Sequence, residues 1–258
     1  MEYLSEKVNR NGSEKWSIAV DVGAGSGQCT KLLQPYFDRV YGFDISEAQV
    51  NQAKNNNIYD NVEYKLKLRN RNHTQQVSPS ERLPMASKSV DLITACQCLH
   101  WFDWESFFEE VHRVLKPDGV LAVIGYPMKN IQLLQTTNTH NEIDPNTLSD
   151  IYNGATLQEY FEMSRLKHLD NGYTEINFPF KDITRYQNFM DKQLTANDCL
   201  HYVQSWSGFQ NCFDRDPYAA TSLIENLRNK LELYLKESDL TKTELVLRSH
   251  CDLILGRK

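Results

Sequence analysis

The run Asp21-Val22-Gly23-Ala24-Gly25-Ser26-Gly27 is the part of this sequence with the clearest capacity for chemistry. Glycines between a strand and a helix let the backbone turn tightly and approach a ligand where a Cβ would collide. A dinucleotide fingerprint, G-x-G-x-x-G, seats a pyrophosphate on the helix N-terminus. Here the third glycine arrives one position early, and Gln28 fills the slot that the fingerprint gives to glycine. Asp21 stands two residues before the first glycine, where an acid repels a diphosphate and attracts a cationic amine. Asp44 follows Gly23 by 21 residues, the distance at which a carboxylate can accept from both hydroxyls of a ribose. The ligand suggested is a nucleoside that carries a positive charge. Either aspartate alone would also suit a strand end or a helix cap. Both together, around three spaced glycines, are harder to reach by chance.

These residues need elements to hold them. Ser17–Val22 is a compact β-branched run that ends at the glycines, and a helix is expected after them, with apolar Leu32, Leu33, Tyr36 and Phe37. Arg39–Phe43 reads as a second strand stopping at Asp44. Ser46 then caps a helix to about Lys54. Val62–Lys65 and Val90–Cys96 are further strands. Asp103–Leu115 has helical spacing, and Lys116-Pro117-Asp118-Gly119 stops it before a fifth strand, Val120–Gly125. Such alternation implies a parallel sheet whose ligands bind at the carboxyl ends of its strands. The second half reads as mostly helical around Leu148–Leu169 and near 183–193, 195–206 and 217–236. Strands are expected at Tyr173–Phe180 and Glu244–Leu255. Leu66–Ser78 is basic, polar and aperiodic, the pattern of a long surface loop.

Composition bounds the reading. The chain has 258 residues, 40% hydrophobic and 24% charged, which excludes a disordered tail or a small disulfide scaffold. The 28 basic and 34 acidic residues leave a net charge of −6, so no strong field invites nucleic acid or anionic lipid. The six cysteines include no CxxC pair and read as reduced thiols of a soluble cytoplasmic protein. The first residues lack the pattern of a secretory signal, so none is expected, and no apolar run is long enough to span a membrane. Histidine and cysteine spacing predicts no metal site.

The matching pieces Asp21–Gly27, Asp44, Leu83-Pro84, Ser89–Thr94, His100-Trp101-Phe102-Asp103 and Arg113–Gly119 make the first half resemble the class I S-adenosylmethionine-dependent methyltransferases with a type 11 domain. Arg165, Leu169–Tyr173, Phe178-Pro179-Phe180, Ser205-Trp206-Ser207 and Leu255–Lys258 resemble the trans-aconitate methyltransferase-like subgroup. The resemblance implies an α/β, Rossmann-like, doubly wound and mostly parallel sheet with helices on both faces. Residues 1–126 would form the cofactor-binding core and 127–258 a helical acceptor-binding region with the last strands. It also implies S-adenosyl-L-methionine as cofactor. Gly23, Ala24, Gly25 and Gly27 would wrap its methionine portion, with Asp21 facing the amino group. Asp44 would hold the ribose, Ile45 would lie against adenine, Ser80 and Glu81 would border the adenine edge, and Gln97 would line the methionine end. His100 and Trp101 would stand on the rim where donor meets acceptor. Trp101 is suited to a sulfonium by its ring quadrupole and equally suited to core packing.

The implied activity is methyl transfer to a small molecule, expected to be O-methylation of a carboxylic acid, since a carboxylate is ionised at neutral pH and needs no base. An alcohol or amine acceptor would need one, and His100 is the candidate. Arg165 or Arg185 could clamp an acceptor carboxylate, and Tyr173, Phe178 and Trp206 could line an apolar pocket; each is also explained as a surface arginine or a core aromatic. Two departures stand out. Pro79 occupies the place where relatives carry an acid toward adenine, and only 16 residues precede Ser17, so a shortened N-terminus is expected. The alternative reading is therefore a catalytically impaired cofactor-binding protein. A nucleotide-dependent oxidoreductase is disfavoured by the early third glycine, and a nucleic-acid methyltransferase by the shortness of the basic run Lys65–Arg71.

Overall fold

A computed structural model describes residues 15–67, 82–135, 143–236 and 239–258. The chain forms two compact units. The first comprises the chain through Gly125 with Ile176–Tyr186 and Asp252–Lys258, and the second comprises Tyr126–Glu175 with Gln187–Cys251. The chain thus does not divide once near residue 126; it returns to the first unit twice. The strands are β1 (Trp16–Val22), β2 (Phe37–Asp44), β3 (Val62–Leu66), β4 (Val90–Cys96), β5 (Leu115–Gly125), β6 (Gln132–Gln135), β7 (Lys181–Thr195) and β8 (Glu244–Arg257).

In the first unit the strands run in the order β3-β2-β1-β4-β5, all parallel. The end of β8 adds antiparallel to β5, from Val120 opposite Arg257 to Gly125 opposite Asp252. Ala19, Val20, Val40, Ile93, Ala95 and Val123 are fully buried, as expected of β-branched and small residues in a covered parallel sheet. Strand order reverses at β1, which has β2 on one side and β4 on the other. The loops that leave the carboxyl ends of β1 and β4 are therefore neighbours, the arrangement that opens a crevice in such sheets.

The helices of this unit are α1 (Gln28–Leu33), α2 (Glu47–Asn55) and α3 (Trp104–Val114). The first is shorter than its apolar residues suggest. Pro35 follows in a 3-10 turn, Gln34–Tyr36, because proline has no N–H to continue the α ladder. Phe37 accordingly opens β2 fully buried, while Leu32 stays exposed. Helix α2 starts as expected, with Ser46 Oγ accepting from the Gln49 N–H at 3.4 Å. Helix α3 is capped by Asp103, which accepts from the Ser106 N–H at 3.0 Å, and it buries Phe107, Phe108, Val111 and Val114. The Lys116–Gly119 turn lies inside β5 as an irregularity. Val90 pairs with Leu115, and the register resumes with Leu92 opposite Val120.

Two matched motifs are tied to each other. Glu110, 6% exposed, accepts from the Leu83 N–H. Arg113 donates to both of its carboxylate oxygens at 2.7 and 2.6 Å and to the carbonyls of Leu83 and Met85 at 3.1 and 3.0 Å. Lys116 reaches both oxygens of Asp91, which also accepts from the Ile18 N–H at 2.9 Å.

Expectations for residues 173–193 are corrected. Tyr173–Phe180 contains no strand. Phe178 and Phe180 turn instead onto Phe108, with ring centroids 5.3 and 5.8 Å away, and Pro179 between them can donate to no ladder. His112 Nε2 donates to the Pro179 carbonyl at 2.6 Å and its ring stacks on Phe180. The helix expected near 183–193 is the strand β7, which pairs with β8. Ile183, Tyr186, Phe189 and Met190 are exposed, so no buried face rewards a helix there.

The second unit carries α4 (Thr147–Asn153), α5 (Ala155–Gln158), α6 (Met163–Asp170), α7 (Ala196–Gln204), α8 (Ser207–Arg215) and α9 (Pro217–Leu235). It also holds β6 antiparallel to the start of β8, with Leu133 opposite Leu247. Neither β6 nor α8 was expected; β6 has only four residues, and α8 fills the gap between two helices read from sequence. A capping box of Thr195 and Asp198 starts α7, and Asp216 with Pro217 starts α9. Leu148, Tyr152, Leu157, Tyr173, Leu200 and Val203 are its buried core. Among the described residues no helix is long and apolar enough to cross a membrane.

Arg113→Ala should leave the buried Glu110 carboxylate without its cation. With Arg113 36% exposed, the expected loss in chemical denaturation is about 2–3 kcal/mol, below the range for a fully buried pair. A loss within about 0.5 kcal/mol, the usual surface value, would show that the bridge does not hold the Leu83 segment.

Candidate functional site

The glycine loop joins β1 to α1. Gly23 and Ala24 donate their N–H groups to the Phe43 carbonyl at 2.8 and 3.0 Å, which ties the loop to the end of β2. Asp44, the last residue of β2, continues the tie through its side chain. Its Oδ2 accepts from the Gly25 N–H and its Oδ1 from the Ser46 N–H, each at 2.8 Å. One carboxylate thus fixes the loop against the start of α2. Each oxygen retains a lone pair for a further donor.

The three loop glycines, all in the left-handed region, serve different ends. A Cβ on Gly23 would stand 2.8 Å from the Cys98 sulfur, and one on Gly27 would strike the Tyr64 hydroxyl. Those two are small because the protein itself packs against them. At Gly25 the nearest atom would be Gln49 Oε1 at 3.8 Å. There the missing side chain faces open space, so this is the glycine whose backbone a ligand can approach.

Asp21 lies beneath the loop and is fully buried. It pairs in the sheet with Thr94 of β4. The Thr94 and Thr30 hydroxyls each donate to it at 2.6 Å, one to each oxygen. Burial pushes its carboxyl up to about 6, against the opposing pull of the two hydroxyls, with the Asp44 charge adding to the rise. Asp21 is thus a buried carboxylate with one hydroxyl donor on each oxygen. Thr30 and Thr94 were not singled out from sequence. The available signal for Thr94 was a hydroxyl residue among the apolar Leu92, Ile93 and Ala95.

At the end of β4, Gln97 adopts a left-handed conformation, φ 57°, uncommon for a residue with a Cβ and characteristic of sites under functional constraint. Its N–H donates to the Ile124 carbonyl at 2.8 Å. Cys98 donates to the Val22 carbonyl at 3.1 Å, fastening this turn to the end of β1. His100 and Trp101 lie in the next 3-10 turn, Leu99–Trp101, with ring centroids 5.1 Å apart. Trp101 is 36% exposed, but His100 is only 4% exposed, so the histidine is not open on a rim. Ile45 is 49% exposed beside Asp44. The structure thus gathers Asp21, Gly23, Ala24, Gly25, Gly27, Asp44, Ile45, Gln97 and Trp101 on the loops at the carboxyl ends of β1, β2 and β4. Ser80 and Glu81, with Pro79 and most of the Leu66–Ser78 segment, lie outside the described residues.

The acceptor candidates Arg165, Tyr173 and Trp206 all belong to the second unit. Arg165 is half-buried on α6, with Nε 3.4 Å from Glu162 Oε2. Tyr173 is completely buried, and Trp206 packs edge-on against Tyr152 and Tyr202 at 6.0 and 5.6 Å. The two aromatics are core residues of that unit. Arg185 and Phe178 lie in the first unit, the guanidinium 5.5 Å from the ring centre. Among the described residues no group of three metal-ligating side chains comes together.

The raised carboxyl of Asp21 has a sign that can be checked. The folded protein takes up its proton as pH falls through about 6, the unfolded chain only near 3.8. The cost of the buried charge is therefore present above pH 6 and relieved below it. Thr94→Val, which removes one donor to the ionised form, should destabilise by about 2 kcal/mol at pH 7.5. The loss should shrink on acidification to pH 5. Denaturation across that range checks it; a loss independent of pH would contradict the assignment.

Comparisons with known proteins agree with this geometry. Residues 20–123 match the methyltransferase domain family. A Dictyostelium discoideum protein described as a methyltransferase is 33% identical over 202 residues, which cover 78% of this chain and 68% of the relative. A malonyl-[acyl-carrier protein] O-methyltransferase of Methylovorus is 27% identical over 162 residues, 56% of this chain and 53% of the relative. The match to three yeast relatives spans 35%, 43% and 39% of their own length. The solved structure of a type II methyltransferase from Anaeromyxobacter dehalogenans shares the fold, with a TM-score of 0.67 at 24% identity over 93% of this chain and 89% of that one. A glycine loop held by one aspartate over a second, buried one is thus set in a Rossmann-like sheet, and this chain belongs to the class I S-adenosylmethionine-dependent methyltransferases.

Proposed function

We propose that this methyltransferase moves the methyl group of S-adenosyl-L-methionine to the carboxylate oxygen of a small organic acid, and that the cofactor lies on the loops after β1, β2 and β4. The observation that carries the placement is Gly25, whose N–H is held by Asp44 while its Cβ side is open. The remaining lone pairs of Asp44 suit the ribose hydroxyls, and exposed Ile45 suits the adenine face. The methionine portion runs over Gly23–Gly27 toward Gln97. The charge of Asp21 beneath the loop favours the cationic end of the cofactor.

In the reaction an acceptor oxygen attacks the methyl carbon in line as the carbon–sulfur bond breaks, and the bonding pair stays on sulfur. A carboxylate supplies its own electron pair at neutral pH. The site then has only to hold oxygen, carbon and sulfur collinear and exclude water. His100, buried next to Trp101, enters as a base only if the acceptor is an alcohol or amine. The acid reading is supported by the likeness of Arg165, Leu169–Tyr173 and Ser205–Ser207 to the trans-aconitate methyltransferase-like proteins, and by the Methylovorus O-methyltransferase relative. We assign acceptor recognition to the second unit, with Arg165 as the cationic group there, and expect a small molecule rather than nucleic acid. All six cysteines are unbridged thiols, in keeping with a cytoplasmic protein.

Calorimetry with S-adenosylhomocysteine tests the placement. Asp44→Ala, losing two hydrogen bonds to a charged acceptor, should weaken binding roughly 100-fold. Gly25→Val should abolish it, because the side chain enters the open side of the loop and valine is strained at the left-handed backbone of this position. Unchanged affinity in either folded variant would move the cofactor elsewhere. Turnover with a panel of small acids should release S-adenosylhomocysteine and a methyl ester. Binding without methylation of any of them would favour the catalytically impaired reading.

A further inference from the structure

Helix α2 opens on Ser46-Glu47-Ala48-Gln49. That is the S-x-x-Q spacing in which the serine hydroxyl caps the glutamine N–H and the glutamine side chain reaches back to the serine N–H. Only half of the exchange is made. Ser46 Oγ accepts from the Gln49 N–H at 3.4 Å, but the Ser46 N–H donates to Asp44 Oδ1 at 2.8 Å. The donor that Gln49 would satisfy is therefore already taken. Among the described residues the Gln49 carboxamide makes no hydrogen bond, and the residue is exposed. Its oxygen is instead the nearest atom on the open side of Gly25, 3.8 Å from the position of a Cβ there. Asp44 holds the N–H of that same glycine at 2.8 Å. An acceptor-only carboxylate and an uncommitted carboxamide thus border one open stretch of backbone.

We propose that Gln49 is a further cofactor-binding residue, whose carboxamide N–H donates to a ribose hydroxyl that Asp44 accepts from. The contact presupposes the cofactor placement on the loops after β1, β2 and β4. A hydroxyl that donates to a carboxylate keeps two lone pairs on its own oxygen, and these call for a donor. Asp44 has none to give, whereas a glutamine side chain carries two N–H groups. The two residues are also coupled through the helix start. By occupying the Ser46 N–H, Asp44 keeps the Gln49 carboxamide from folding back onto its own helix and leaves it turned to the ligand. Without the Asp44 carboxylate the Ser46 N–H is vacant, and Gln49 completes the capping box instead of meeting the sugar.

Calorimetry on the full chain tests this with two ligands, S-adenosylhomocysteine and methylthioadenosine, which shares the nucleoside but lacks the amino-acid tail. Alanine and glutamate are both well tolerated at an exposed position in the first turn of a helix, so Gln49→Ala and Gln49→Glu should fold. Gln49→Ala should weaken both ligands about fivefold, the usual worth of one neutral hydrogen bond. Gln49→Glu, of the same length but with no N–H to donate, should weaken both at least as much. In an Asp44→Ala background, Gln49→Ala should cost under about twofold more, because the two residues act together. Wild-type affinity in Gln49→Ala or in Gln49→Glu overturns the proposal. A loss confined to S-adenosylhomocysteine puts the carboxamide on the tail and overturns the ribose contact. A full fivefold loss in the Asp44→Ala background overturns the coupling. Asp44→Ala that binds S-adenosylhomocysteine as tightly as wild-type protein overturns the cofactor placement itself, whatever the Gln49 variants show.

Discussion

Asp21 is a carboxylate with no exposed surface at the place where the sheet reverses its strand order. Burial of such a group is opposed by the loss of hydration, and two hydroxyl donors offset part of that cost. What they do not offset appears as the rise from 3.8 to about 6, roughly 3 kcal/mol by the usual conversion. A fold with no use for the charge would be more stable with an apolar residue there. The loop above, the Thr30 and Thr94 donors and the Asp44 tie are all arranged around this carboxylate. On the proposed placement, the cationic end of the cofactor is what offsets the remainder.

That view gives separate work to the two aspartates. Asp44 is geometric: it fixes the Gly25 N–H and the start of α2 at the same time, so the chain's own hydrogen bonds set the shape of the loop. Asp21 is electrostatic: it touches only Thr30 and Thr94 in the described contacts and acts through its field. Preorganised charge of this kind costs no rearrangement when the ligand binds. The pairs Glu110–Arg113 and Asp91–Lys116 brace the same sheet farther along. The first of them ties the Leu83-Pro84 piece to the Arg113–Gly119 piece within the first unit.

Much of this was legible in the sequence, because the first unit is built from local signals. Ser46 caps the helix it was expected to cap, and the β4 boundaries match those read from its apolar run. The parallel pairing of β1 to β5 followed from strand–helix alternation. The errors came where a local pattern met a tertiary demand. The spacing of Ile183, Tyr186, Phe189 and Met190 suggested a helix, yet the open edge of β8 pairs that segment as a strand. Phe178 and Phe180 alternate like a strand, but both leave the ladder to cover Phe108. Within the site, the glycines and both aspartates could be found from spacing alone. Thr30 and Thr94 could not, since their meeting at Asp21 depends on how α1 packs against the end of β4. The burial of His100 was equally invisible, because a histidine after a strand reads the same whether it points inward or outward.

The most direct test of the buried charge compares S-adenosylhomocysteine with its deaminated analogue, which lacks the ammonium group that Asp21 is proposed to face. Their affinities for the wild-type protein, measured by calorimetry from pH 5 to pH 8, should diverge. The account predicts that preference for the ligand that keeps its ammonium group grows several-fold as pH rises through about 6 and Asp21 ionises, and that Asp21→Asn flattens the curve. A preference that stays constant across this range in the wild-type protein would contradict it.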